Sequence, residues 1–399
     1  MCRNCRWGNN SPERSDWEDI AVNRNTDRIQ TTHVGSLPRP DDLTRMMYDV
    51  IDNKPVDKSL LSKRVSEAVR EVVEKQRAAG VDIVSDGEMS KTGFSNYVVQ
   101  RFSGFGERGQ MMLSDMADVP LLTQKMFSEE GGQHVVMPVV NGPIELRDPE
   151  AVKVDIANLK SALGSLNPDN AFIPAVTPGQ MLFNFANRYY PSREAYLEAA
   201  AKALRPEYQA IIDAGFNLQL DSPDLAMHHH GSTDGPIELS DYIPLSIEAL
   251  NEATRGLPPE KMRLHLCWGN YAGPHHYDVA LSEIIEPIIK TTTASFISFV
   301  AANPRHEHEY EVWNDVQLPD DKVIMPGVID TITNTVEHPM LVAQRLERFA
   351  NIVGKENVIA GTDCGFSTFV GFQSMDAKVT WLKLEALTQG ARVASERLW

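Results

Sequence analysis

The stretch "LHLCWGN", residues 264–270, sets His265 and Cys267 two positions apart at the end of an apolar run. On a β-strand that spacing sends both side chains to one face. A second thiol, Cys364, closes another apolar run in "NVIAGTDCG" (357–365). An imidazole and two thiolates form a ligand set that suits zinc, and three protein ligands with one open position describe a catalytic site. For each residue alone the competing explanation is a small core thiol or a hydrogen-bonded strand histidine. The three together, all at strand ends, favour Zn2+.

Carboxylates fall at similar places. Asp221 ends "LQLD", a run with no other charge, which argues for a position at a functional rim. Glu88 follows Gly87 in "SDGE"; a rim carboxylate and a helix N-terminal glutamate explain it equally. Asp330 closes "PGVID", and His276 lies in "GNYAGPHH"; either has the chemistry of a general acid. Arg305 in "NPRHEHE" suits an anionic substrate group, or pairs with its neighbouring glutamates. The run His228–His230, followed by "GSTDG", reads as a solvated loop and is set aside as a metal site.

These residues need a frame that gathers strand ends. Eight short apolar runs recur, at 29–36, 81–88, 171–179, 216–224, 262–269, 295–305, 322–330 and 357–365. Between most of them lie patterns with apolar residues at three- and four-residue steps, at 59–80, 192–215, 337–354 and 376–399. Gly80 and Gly215 stop the first two, and Pro206 is expected to kink the second. Near-continuous apolar strands alternating with helices imply parallel strands buried on both faces. Eight of them imply a (β/α)8 barrel, whose C-terminal strand ends share one rim. The alternative, a doubly wound sheet, lacks its glycine fingerprint after the first strand. Residues 102–170 break the rhythm, and "HVVMPVVNGPIEL" (134–146) reads as an inserted hairpin. The expected organisation is a polar arm over 1–28 and one barrel over 29–399.

Composition narrows the partners. The 399 residues are 42% hydrophobic and carry a net charge of −17, which argues against nucleic acid. No apolar stretch is long enough to span a membrane, and the polar start has no apolar signal core. A cytoplasmic protein is expected, and a homo-oligomer is compatible with it. Four cysteines in so long a chain are no disulfide framework; Cys2 and Cys5 read as an incidental feature of the arm.

Seven ordered motifs, "TTHVGSLPRP", "DGEMSKTGF", "LQLDSPDLAM", "HLCWGNYAGPHH", "AANPRHEHE", "PGVIDTITNTVEHP" and "GTDCGF", resemble the cobalamin-independent methionine synthase superfamily. The likeness runs from about residue 28 to the end, and is nearer to short single-barrel members such as the epoxyalkane:coenzyme M transferases. The resemblance implies a barrel of the methionine synthase and uroporphyrinogen decarboxylase type, with a zinc that activates a thiol for alkylation. By motif, His265, Cys267 and Cys364 match the zinc ligands. Gly35 and Ser36 match the turn that contacts the amino-acid thiol, and Glu88 and Asp221 the carboxylates that hold its amino group. Two positions depart: Val300 stands where the methionine synthases place a ligating glutamate, and Ile332 where they place a histidine. The expected function is therefore a zinc-dependent S-methyltransferase acting on homocysteine or a similar thiol, with a small-molecule alkyl donor. A rival within the class adds a thiol to an epoxide and needs a basic sulfonate pocket, to which Arg39, Arg188 or Arg305 would contribute. A rival outside it is a metal-free decarboxylase-like or non-catalytic binding barrel.

Overall fold

The short apolar runs form the strands or bridged segments of one parallel sheet, with most of their residues buried. In the computed structural model, residues 24–109, 113–128, 132, 134–135, 137–230, 237–372 and 375–399 are described. The Cys2–Cys5 pair and most of the arm lie outside them. The strands, in chain order, are β1 (Val84–Ser85), β2 (Phe105–Gly109), β3 (Met137–Val140) and β4 (Ala171–Val176), then β5 (Asn217–Asp221), β6 (Met262–Leu266), β7 (Phe296–Phe299) and β8 (Val323–Pro326). β1, β4, β5, β6, β7 and β8 pair in that order, every pair parallel. Every residue of β4, β6 and β8 is buried, the mark of strands covered on both faces.

Single parallel bridges close the ring. Thr32 pairs with Ile83, Thr31 with Ala360, and Ile324 with Val358. The segments around 31–32 and 358–361 thus fill the first and eighth positions, and all eight expected runs find their place in one barrel. The intervening helices follow the sequence signals. Lys58–Ala78 is capped by the Asp57 side chain, which accepts from Ser59 and Leu60 N–H, and the chain leaves it through Gly80 at φ +85°. Arg193–Asp213 is capped by Ser192 and holds Pro206 inside a single helix. No described helix is long and apolar enough to cross a membrane.

The insertion differs from expectation. Residues 134–146 supply only one strand of the antiparallel pair; β3 pairs with β2, about thirty residues earlier. The "NG" at 141–142 carries no hairpin turn, because Asn141 and Gly142 N–H both donate to Gly104 C=O and Phe102 bridges Leu146 further along the same ribbon. Two short helices, Ser114–Ala117 and Pro120–Ser128, lie between the ribbon strands and lean over the barrel mouth.

A buried ionic cluster ties the insertion's root to the wall. Arg101 pairs with Asp155 and, at 3.2 Å, with Glu207, whose other oxygen accepts from Tyr97 Oη at 2.7 Å. The one guanidinium contacts both carboxylates and Tyr97 adds a hydrogen bond, so each buried charge has a partner.

Candidate functional site

Alternation along β6 sends Arg263, His265 and Cys267 to the barrel interior in successive layers. Arg263 lies at the bottom, donating to Thr32 Oγ1 at 3.0 Å and His33 C=O at 2.8 Å, with its guanidinium over the Phe172 ring. His265 is the middle layer. Its Nδ1 meets Ser298 Oγ at 3.1 Å across the β6–β7 pair, and its Nε2 is buried without a hydrogen-bond partner among the described residues. Burial, with Arg263 close by, pulls its pKa down to about 3, so the ring is neutral. Cys267 stands at the rim. Cys364, from the loop after the eighth strand position, brings its Sγ within 3.4 Å of Cys267 Sγ.

The ligand atoms of His265, Cys267 and Cys364 all lie within 4.8 Å of one another, and the two thiols are free. The fit to a metal ion rests on three features. The donor set is one nitrogen and two sulfurs, His265 Nε2 is left without a hydrogen bond, and Ser298 holds the other ring nitrogen as ligating histidines require. Zn2+ is the ion such a set suits.

These atoms open onto a cavity of about 420 Å3, whose wall also includes Ser36, Glu88, Asp221, Asn270 and Tyr271. Glu88 occupies a left-handed backbone position, φ +59°, directly after Gly87 at φ +65°. Such a conformation in a non-glycine residue is held by its surroundings. Arg39 holds it, donating to Glu88 C=O at 2.9 Å and Lys91 C=O at 3.0 Å. Glu88 Oε2 is buried without a hydrogen-bond partner. Burial pushes its carboxyl up to about 7, although Lys91 and Arg39 oppose the shift. Asp221 is likewise pushed well up by burial and by the Glu88 charge, while Gln219 donates to its Oδ1 at 2.8 Å. Gly35 matters for steric reasons: at φ +143°, a Cβ there would lie 3.0 Å from Glu88 Oε1 and 2.8 Å from Pro174 Cγ. Ser36 Oγ accepts from Ser367 N–H, which joins this turn to the Cys364 loop.

The fold thus brings Ser36, Glu88, Asp221, His265, Cys267 and Cys364 to one cavity, with Gly35 behind it. Three other candidates are elsewhere. His276 is exposed and pairs with Asp118 at 3.1 Å. Arg305 is exposed on the following loop and reaches only the His276 carbonyl. Asp330 accepts from Ile332 N–H and from Thr333 N–H and Oγ1, so it caps its own turn and does not line the cavity. Each ends or follows a strand run, but its side chain turns to local partners. His228 and His230, read as solvated, are buried.

Neighbouring residues hold this rim in place. Asp363 accepts three N–H groups, from Ala301, Ala302 and Asn303, and so pins the turn after β7 beside Cys364. Leu266 pairs with Phe299, so one further step sets Val300 beside Cys267, in the same inward row as Ser298. Val300 is buried and offers no ligand.

Known proteins fit this geometry. Residues 29–381 match the family model described as cobalamin-independent synthase, catalytic domain. The methionine synthase of Sulfurisphaera tokodaii is 24% identical over 93% of this chain and 94% of its own length. That of Pyrococcus horikoshii is 22% identical over 93% and 94%. Among solved structures, a B12-independent methionine synthase from Shewanella sp. W3-18-1, in complex with selenomethionine, superposes with a TM-score of 0.71 at 22% identity, covering 93% of this chain and 99% of that one. A putative vitamin-B12 independent methionine synthase from Listeria monocytogenes gives 0.65 at 18% identity, covering 94% and 99%. At these identities the two structures speak for the fold. The family match spans nearly the whole barrel, so the chain belongs to the cobalamin-independent synthases, the methionine synthase-type methyltransferases, by its catalytic domain.

Proposed function

We propose that this single barrel transfers a methyl group to the sulfur of homocysteine or a closely similar amino-acid thiol, using Zn2+ held by His265, Cys267 and Cys364. The observation that carries the reading is one cavity holding both a thiol-rich donor cluster and two buried carboxylates short of a cation. Bound there, zinc would lower the pKa of an incoming thiol and make its sulfur nucleophilic at neutral pH. The protein's own groups do the rest.

Glu88 and Asp221 would receive the substrate ammonium, which favours the charged form that burial disfavours in both carboxyls. Gln219 fixes the Asp221 oxygen, and Gly35 leaves room for the Glu88 carboxylate. Ser36 would line the thiol's carbon chain. Phe94, Phe183, Phe369 and Phe372 give the outer cavity flat apolar walls suited to a ring-bearing donor. With a donor that carries its methyl group on nitrogen, a sulfur–carbon bond forms as the nitrogen–carbon bond breaks. The nitrogen keeps the electron pair and takes up one proton, matching the one lost by the thiol. Holding sulfur and methyl in line is worth several kcal/mol by itself.

The epoxide reading needs cationic groups for a sulfonate. Among the described residues no lysine or arginine lines the cavity, Arg39 is committed to backbone carbonyls, and Arg188 and Arg305 are exposed. Methyl transfer is therefore favoured. Free buried thiols also fit a reducing compartment such as the cytoplasm.

The test is to incubate the zinc-reconstituted protein with homocysteine and a panel of methyl donors, following methionine by mass spectrometry. Methionine formation that requires Cys364 and falls at least tenfold in Glu88→Gln supports the reading. Product from coenzyme M and an epoxide, with none from homocysteine, would replace it with the rival.

A further inference from the structure

A second cluster of ligand atoms lies behind the cavity wall and shares no residue with the first. His229 and His230 belong to the short turn His228–His230 after β5, and Asp278 to the loop after β6. One ligand-type atom from each lies within 4.8 Å of the other two. The His230 and Asp278 side chains are wholly buried.

The hydrogen bonding leaves this cluster incomplete in a particular way. His230 Nδ1 meets Ser114 Oγ at 2.9 Å, but its Nε2 has no hydrogen-bond partner among the described residues. Asp278 Oδ2 meets His275 Nδ1 and His306 Nε2, each at 2.9 Å, but its Oδ1 has no hydrogen-bond partner among them. The two orphaned atoms face each other at 3.7 Å. That is too far for a hydrogen bond and close to the separation of two ligands on one ion. His229, half-buried beside them, makes no well-formed hydrogen bond from either ring nitrogen among the described residues. In each of the two buried residues, one atom is held by the protein and the other is left free. Outer partners orient ligands around a metal in this way.

We infer that His229, His230 and Asp278 form a second divalent-metal site, distinct from the cysteine cluster and structural in role. Two imidazoles and one carboxylate suit zinc or a neighbouring first-row ion rather than calcium or magnesium, which take oxygen ligands. An ion there would fasten three segments that meet nowhere in sequence. These are the inserted helix Ser114–Ala117 through Ser114, the turn after β5, and the loop 271–278. The same segments supply Met116, Met227 and Tyr271 to the cavity wall. Asp115 adds to the tie, accepting from Tyr271 Oη at 2.7 Å and His275 N–H at 3.1 Å.

The experiment counts metal in the purified full chain by elemental analysis after zinc or cobalt reconstitution, with cobalt spectra recorded alongside. About two equivalents are expected, falling to about one in His229→Ala, whose cobalt form keeps the thiolate charge-transfer band. In a Cys267→Ala/Cys364→Ala background the remaining equivalent should bind without that band, and adding His229→Ala should weaken it at least tenfold. Asp278→Asn supplies an independent ligand change. His229 is only half-buried, so its variant keeps the test open should Asp278→Asn unfold. One equivalent in the wild type, unchanged by His229→Ala, overturns the inference and leaves the cysteine site standing. One equivalent without a thiolate band, lost in His229→Ala, supports it and removes zinc from the cysteine cluster instead.

Discussion

Cys267 Sγ and Cys364 Sγ lie 3.4 Å apart although 97 positions separate them in the chain. Their meeting follows from barrel closure, since the bridges from Thr31 to Ala360 and from Ile324 to Val358 bring the last strand position into the same rim as β6. Replacing either thiol by alanine is expected to lower the intensity of the sulfur-to-cobalt charge-transfer band of the cobalt-loaded protein by about half, and replacing both to abolish it. A band of undiminished intensity in Cys364→Ala would show that Cys364 is no ligand.

His265 depends on its neighbour. Ser298 Oγ fixes Nδ1, which leaves Nε2 free to ligate. Ser298→Ala should weaken metal binding by about 10- to 100-fold while the fold is retained. Competition with a chromophoric chelator measures this; an unchanged affinity would mean that packing alone orients the ring.

Val300 stands next to Cys267 by strand register and is buried. Val300→Glu places a carboxylate there. Without metal it is an unpaired buried charge, and the protein should lose roughly 2 kcal/mol or more. With zinc present the carboxylate gains a partner, and most of the loss should return. Thermal unfolding with and without chelator reads both arms; equal losses would place residue 300 out of reach of the ion.

The pH dependence of stability should carry a contribution from Glu88. Its pKa rises from an ordinary 4.5 to about 7 in the fold because burial disfavours the charge. A raised carboxyl stabilises the fold fully below about pH 4.5, and that stability is lost as pH rises through 7. The amount is on the order of 3 kcal/mol. Glu88→Gln should therefore gain on the wild type steadily between pH 5 and 8 in chemical unfolding. Parallel curves would contradict the shift. In the proposed reaction, ammonium binding requires the ionised pair, so the KM for homocysteine should fall as pH rises through 7.

Arg101 is the shared cationic partner of Asp155 and Glu207, all three nearly inaccessible. Arg101→Met leaves two buried carboxylates uncompensated and should cost about 3–5 kcal/mol in urea unfolding. A loss below 1 kcal/mol would mean that Asp155 and Glu207 become protonated or hydrated at little cost.

The eight barrel positions, six strands and two bridged segments, were legible in the sequence because strands buried on both faces are largely apolar, as "AFIPAV" and "VIMP" are, and because caps such as Asp57 and Ser192 act within one turn. The fold class follows from that local pattern, and so does the gathering of His265, Cys267, Asp221 and Glu88 at one end, since every parallel strand ends on the same rim. Local pattern does not say which way a rim side chain turns. Asp330 and His276 looked as reactive as Asp221, yet one caps its own turn and the other pairs with Asp118 in solvent. Nor does it say which distant segments pair. The partner of 137–140 lay at 105–109 rather than across the nearby "NG", because the choice rests on ribbon contacts at Gly104 and Leu146. The burial of His230 against Asp278 likewise depends on two loops from neighbouring strands meeting beneath an inserted helix. The sequence determined the apolar periodicity and the reactive residue types, because each acts over a few positions. Tertiary structure alone decided which reactive groups face one another, because that depends on the closure of the whole ring.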